Sequence, residues 1–241
     1  MPEEDEITRD TLLRGRVKLL QPRHGFRSSL DPVLLAGFVA PSFGDFLDIG
    51  CASGALSFLL LARDATARGV GVEIQPRLAA LAEQGAHENG FCDRFRLVVG
   101  DVRAKGAVAV QAFDLVATNP PFRPVGAGVL PPLSEKAMAN HEVTLALPEW
   151  LDVAAAALRR GGRLATIFPF DRWEELRGGL AGRGFFATRA RAVVPRAGEV
   201  PNRILVEAAR SAVPMQFDPQ LLVHDGSGYS AEVRRMLGEE A

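Results

Sequence analysis

The chain has 241 residues, 47% hydrophobic and 24% charged, with a formal net charge of −1. That balance suits one globular domain with a large core, and the near-neutral charge decides nothing about a polyanionic partner. No apolar run reaches the ~18 residues a membrane helix needs. The acidic start Met1-Pro2-Glu3-Glu4-Asp5-Glu6 lacks the basic opening and apolar stretch of a signal peptide. Two cysteines, Cys51 and Cys92, are too few for a disulfide framework or a zinc site, and the four histidines show no ligand spacing. The expectation is a cytoplasmic protein with no membrane or metal partner. Its oligomeric state is open.

In chain order, Phe46 to Ile49 is predicted as a short strand, followed by the turn Gly50-Cys51-Ala52-Ser53-Gly54 and an apolar helix from Ala55 to Ala62. Gly69 to Val72 is a second strand, ending in Glu73. Pro76 suits the first turn of a helix that stops at Asn89-Gly90. Phe95 to Val99 is a third strand, closed by Gly100-Asp101, and Phe113 to Thr118 a fourth. A helix from Pro148 to Leu158, a strand from Arg163 to Phe168 and a helix from Asp171 to Leu180 follow. Phe185 to Val194 and Ile204 to Ala209 are the last strands; with no helix between them, they predict an antiparallel hairpin at one edge. Alternating strands and helices predict an α/β fold with a mostly parallel sheet and right-handed crossovers.

Ligands of such sheets bind beyond the carboxyl ends of the strands. Asp48, Glu73 and Asp101 all fall there, and glycines beside Asp48 let a ligand approach the backbone. A carboxylate ending the second strand can accept both hydroxyls of a ribose, and Asp101 can accept from an adenine amine. The turn is neither Gly-x-Gly-x-x-Gly nor Gly-Lys-Ser/Thr, which argues against a dinucleotide or a nucleoside triphosphate. The fourth strand runs into Asn119-Pro120-Pro121-Phe122. Two prolines fix φ and remove two N–H donors, which leaves the Asn119 side-chain oxygen and proline carbonyls as acceptors for an amine. Phe122 can stack on a planar ring. The same four residues also read as an ordinary turn.

Together, Asp48-Ile49-Gly50-Cys51-Ala52-Ser53-Gly54, Glu73, Gly100-Asp101 and Asn119-Pro120-Pro121-Phe122 resemble class I S-adenosylmethionine-dependent methyltransferases that act on amino groups. Leu20 to Arg27, Leu30 to Ala36 and the tail Leu222-Val223-His224-Asp225 to Val233 resemble, within them, the bacterial enzymes that methylate adenine N6 beside the anticodon of a valine tRNA. The resemblance runs from about Leu12 to Leu237. It implies a Rossmann-like fold, a seven-stranded mostly parallel sheet with helices on both faces. It implies S-adenosylmethionine as cofactor, bound by Asp48, Gly50, Cys51, Gly54, Glu73, Ile74, Asp101, Val102 and Asn119. Catalysis would fall to Asn119, Pro120, Pro121 and Phe122, and tRNA would be the partner. Relatives with the same tetrapeptide methylate rRNA guanine N2 or protein glutamine, and a non-catalytic cofactor-binding module is a further alternative. One departure is Ala52, where the family often has glycine; its methyl group fits if φ is negative.

Residues 1–40 are expected to form an N-terminal extension packed on a methyltransferase domain of residues 41–241. Residues 11–30 carry Arg14, Arg16, Lys18, Arg23, His24 and Arg27 without an acid; Arg183, Arg189, Arg191, Arg196 and Arg203 form a second basic stretch. Either set can follow a phosphate backbone or be a solvated surface. Arg23, His24, Arg27 and Arg123 are the candidate nucleic-acid contacts. Residues 123–140, rich in Gly and Pro, read as a long loop that could act as a substrate lid.

Overall fold

The computed structural model describes residues 7–121 and 145–239. Phe122, Arg123 and the proposed lid of residues 123–140 lie outside the described residues. The central sheet begins with β3 (Asp45–Ile49), β4 (Arg68–Glu73) and β5 (Phe95–Val99), then β6 (Phe113–Thr118) and β7 (Leu158–Pro169). These five run parallel in the order β5-β4-β3-β6-β7. Chain order reverses between β3 and β6, so a crevice opens where Ile49 and Thr118 end their strands. The predicted hairpin is present: β8 (Phe186–Arg196) and β9 (Arg203–Ala209) pair antiparallel. However, β9 inserts beside β7, and β8 is not the sheet edge.

Three short strands extend the sheet to ten. β10 (Gln216–Phe217) and β11 (Leu221–Asp225) lie parallel to β8, and β12 (Gly228–Tyr229) pairs back on β11. A separate antiparallel hairpin, β1 (Ile7–Leu12) with β2 (Val17–Pro22), precedes the core. Strand period explains the layering. On β3, Phe46 faces one buried cluster while Leu47 and Ile49 face the other. The first cluster includes α1 (Asp31–Phe38), α2 (Ala55–Arg63) and Val17 and Leu19 of β2; the second includes α4 (Leu147–Ala157) and α5 (Trp173–Ala181). Helix α3 (Pro76–Glu88) contacts β2, β4 and β5, and α6 (Ala231–Met236) contacts β11 and α1.

Asn89 ties the hairpin down. Its side chain accepts from the Lys18 amide at 2.8 Å and donates to the Lys18 carbonyl at 2.7 Å, taking the place of a neighbouring strand. The arginines of the second basic stretch are paired with acids of this chain. Arg183 pairs with Asp152, Arg189 with Asp218, Arg191 with Glu232, Arg196 with Glu199 and Arg203 with Asp31. Among the described residues, no helix is long and apolar enough to cross a membrane.

Candidate active site

The crevice at the carboxyl edge of β3, β4 and β6 has two connected chambers. The outer one is walled by Glu73, Ile74, Gln75, Gly100, Asp101, Val102, Pro121 and Leu145; the inner one by Asp48, Cys51, Ser53, Ala55, Leu56, Ser28 and Pro32. Phe26, Gly50, Ala52 and Asn119 border both, so they form the waist between them. The buried Thr118 hydroxyl donates to the Ile49 carbonyl at 2.9 Å, locking the ends of β6 and β3 together. This bond sets Asn119 opposite the Gly50 turn.

The turn is shaped by backbone demands. Gly50 has φ +72, and a Cβ built there meets no atom within 4 Å, so the crevice is open directly above its backbone. Gly54 does not line either chamber. It begins α2 with φ +92, and a Cβ there would lie 2.5 Å from the Phe58 ring. Ala52 corrects the sequence expectation: its φ is +49, in the left-handed region. Its methyl is held there at a cost of roughly 1–2 kcal/mol. The Ala52 amide donates to Glu73 Oε2 at 2.9 Å, which supplies the reason. Cys51 is buried; its sulfur packs where a side chain on Gly71 would have to go, and burial raises its thiol pKa well above the usual range.

The carboxylates differ sharply. Asp48 is 1% exposed and accepts from the Ser57 hydroxyl at 2.6 Å. Burial pushes its pKa up to about 7; the Ser57 hydrogen bonds oppose this and the charge of Glu73 adds to it. Glu73 is 5% exposed and is fixed by the amides of Ala52 and, at 2.8 Å, Gln75. A carboxylate offers about four acceptor positions, so this anchoring is compatible with holding a diol. Asp101 borders the outer chamber, but Arg103 grips its carboxylate in a fork of 2.7–3.1 Å and holds its pKa below the usual range. Arg103 also donates to Glu149 at 2.7 Å, and Glu149 accepts from the Ala146 amide at the start of α4. The expected acceptor for an adenine amine is therefore already engaged, and Val102, which is buried, is left as an apolar wall.

The Asn119 side-chain oxygen is buried and has no hydrogen-bond partner among the described residues. A buried acceptor left unmet costs about 1–3 kcal/mol, so this atom is poised for a donor from a ligand. Pro120 is buried and lines neither chamber; Pro121 lines the outer one. Arg23 and His24 are exposed in the turn after β2. Arg27 is exposed but bonded within the extension, to Asp10 at 2.7 Å, to the Thr8 hydroxyl and to the Pro22 carbonyl. Sequence reasoning gave no role to Phe26, Ser57, Arg103 or Glu149. Phe26 and Ser57 could have been flagged only by lying near Asp48 in space. Among the described residues, no cluster of three or more His, Cys, Asp or Glu could hold a metal.

A doubly wound sheet with a glycine turn after its first core strand, a carboxylate closing the second and an unsatisfied amide oxygen closing the fourth defines a class I methyltransferase. The chain belongs to the methyltransferase small domain family, whose model matches residues 31–169. It is an enzyme, and its methyl donor is S-adenosylmethionine. A tRNA1(Val) (adenine(37)-N6)-methyltransferase from Porphyromonas gingivalis is 34% identical over 76% of this chain and 73% of its own. Another of the same name, from Pasteurella multocida, is 25% identical over 85% of each chain. A crystal structure of a predicted O-methyltransferase from Agrobacterium tumefaciens shares the fold, with a TM-score of 0.70, 23% identity and coverage of 88% of this chain and 97% of its own. The two-chamber crevice fits the donor: the glycine cradle is open, a ribose-type carboxylate is in place, and an acceptor awaits at the junction.

Proposed function

We propose that this protein methylates the exocyclic N6 amine of an adenine in tRNA, in the anticodon loop of a valine tRNA. The observation that carries the reading is the buried Asn119 oxygen at the waist of the crevice, which has no hydrogen-bond partner among the described residues. The names of the Porphyromonas and Pasteurella relatives support the choice of adenine and of tRNA. Bound S-adenosylmethionine supplies a methyl already activated by its sulfonium. Asp48, Gly50 and Cys51 take its amino-acid part, with Gly54 shaping the turn. Glu73 and Ile74 take the ribose, and Val102 and the wall at Asp101 take the adenine.

Asn119 Oδ1 and the Pro120 carbonyl accept the two hydrogens of the target amine. They orient its nitrogen and stabilise the positive charge that grows there. Positioning carries much of the catalysis, and no strong base is needed before attack. Pro121 keeps the turn free of a competing donor, and Phe122 stacks on the base. That base must be unpaired to enter, as bases of an anticodon loop are. Arg23 and His24, exposed in the turn after β2, follow phosphate, with Arg123 beyond the described residues; Arg27 serves mainly to hold the extension. We also take residues 1–40 as an extension on a core of residues 41–241, and the site of action as the cytoplasm.

Asn119→Ala should leave donor binding within about twofold and lower kcat at least 100-fold, because it removes an acceptor used only as charge develops. Calorimetry together with single-turnover transfer checks both. Near-normal transfer would contradict the assignment.

A further inference from the structure

Phe26 is the one aromatic side chain, among the described residues, on the wall of either chamber. It is half-buried and borders both chambers, facing the same waist as Gly50 and Asn119. Its position is enforced from both sides. Gly25 turns the chain ahead of it with φ +115. After it, Arg27 is bonded to Asp10, and the Ser28 amide donates to Gln21 Oε1 at 2.6 Å. Gln21 in turn donates to Asp10 at 2.7 Å. One carboxylate on β1 thus braces both the residue after Phe26 and the side chain that holds Ser28. These bonds fix the turn that carries the ring at the waist.

A ligand with its nucleoside in the outer chamber and its amino acid in the inner one has its sulfur at the waist. That is where S-adenosylmethionine carries its positive charge. In the transfer, the carbon–sulfur bond breaks, sulfur keeps the electron pair and becomes a neutral thioether, and a carbon–nitrogen bond forms. The amine nitrogen then gives a proton to solvent. An aromatic face attracts a cation within about 6 Å and does little for a neutral sulfide. Resting on the reading of S-adenosylmethionine as donor, we infer that Phe26 is a charge-selecting wall, which binds the sulfonium donor in preference to the thioether product and so favours exchange of spent for fresh donor.

The test is calorimetric affinity for S-adenosylmethionine and S-adenosylhomocysteine, measured on the full chain without RNA. Phe26→Leu should weaken the donor about fivefold to tenfold and the product less than about twofold, and Phe26→Tyr should restore the donor. Phe26→Met, which fills similar volume without a ring, should act as Leu does and serves if the Leu variant fails to fold. Equal weakening of both ligands would make the residue a packing wall and overturn the inference. Unchanged affinities would place the ring on the incoming base and overturn it too. A wild-type protein that binds neither ligand would overturn the donor reading itself, and this inference with it.

Discussion

Asp48 shows how a single residue is set against its own stability. Its carboxyl is sealed under the Gly50 turn with one hydroxyl partner, Ser57, and burial raises its pKa to about 7. In the unfolded chain the group titrates near the ordinary 3.8. The folded state therefore holds this proton more tightly. Its advantage is complete below about pH 4, shrinks as pH rises, and is gone above about 7. Asp48→Asn should make the ligand-free protein more stable than wild type by roughly 2–4 kcal/mol at about pH 8, with the difference vanishing toward pH 4. The same change should weaken donor binding, since the proposed role of Asp48 is to face the ligand's ammonium group. Melting curves across pH and calorimetry read the two effects. A stability difference that ignores pH would mean that the carboxyl titrates normally. Ala52 is a second such residue: its left-handed backbone aims an amide at Glu73 and is paid for in strain.

The β1–β2 hairpin stands apart from the central sheet as a sheet of its own. It packs on α3, and Asn89, just after that helix, adds two bonds from its amide to the backbone of Lys18, one in each direction. Asn89→Ala should destabilise the protein by about 1–2 kcal/mol, the worth of these hydrogen bonds net of water. It should also speed hydrogen exchange at the Lys18 amide. Unchanged exchange there would show that the buried Val17 and Leu19 hold the hairpin without it. The hairpin was not legible in the sequence. Val17-Lys18-Leu19-Leu20 puts Leu19 and Leu20 side by side and both are buried, which breaks the alternation of a half-exposed strand. The basic residues around it suggested a surface, and the acid that holds Arg27 is Asp10, just outside that run. Strands β10 and β12, of two residues each, are too short to carry any period.

Across the molecule, β3 to β6 were readable because each is short, largely apolar and ends at or runs into Gly, Asp, Glu or Asn, whereas only the apolar second half of the twelve-residue β7 stood out. Their parallel order then places Asp48, Glu73 and Asn119 at one edge. Several features depended on geometry that no residue type announces. These are the left-handed Ala52, the engagement of Asp101 by Arg103, and the closure of the crevice by Phe26 from outside the core. The arginines of residues 183–203 read equally as a phosphate-following patch or a solvated surface, because most of their acids lie far off in sequence, as Asp31 does from Arg203 and Glu232 from Arg191. RNA recognition is proposed at the Asn119 edge and at the exposed turn of Arg23 and His24. The most direct test of the account is incubation of the protein with labelled S-adenosylmethionine and total RNA from a strain lacking the gene, followed by nucleoside mass spectrometry. N6-methyladenosine should be recovered from a valine tRNA and be absent with Asn119→Ala. Methyl on guanosine, or only on protein, would contradict it.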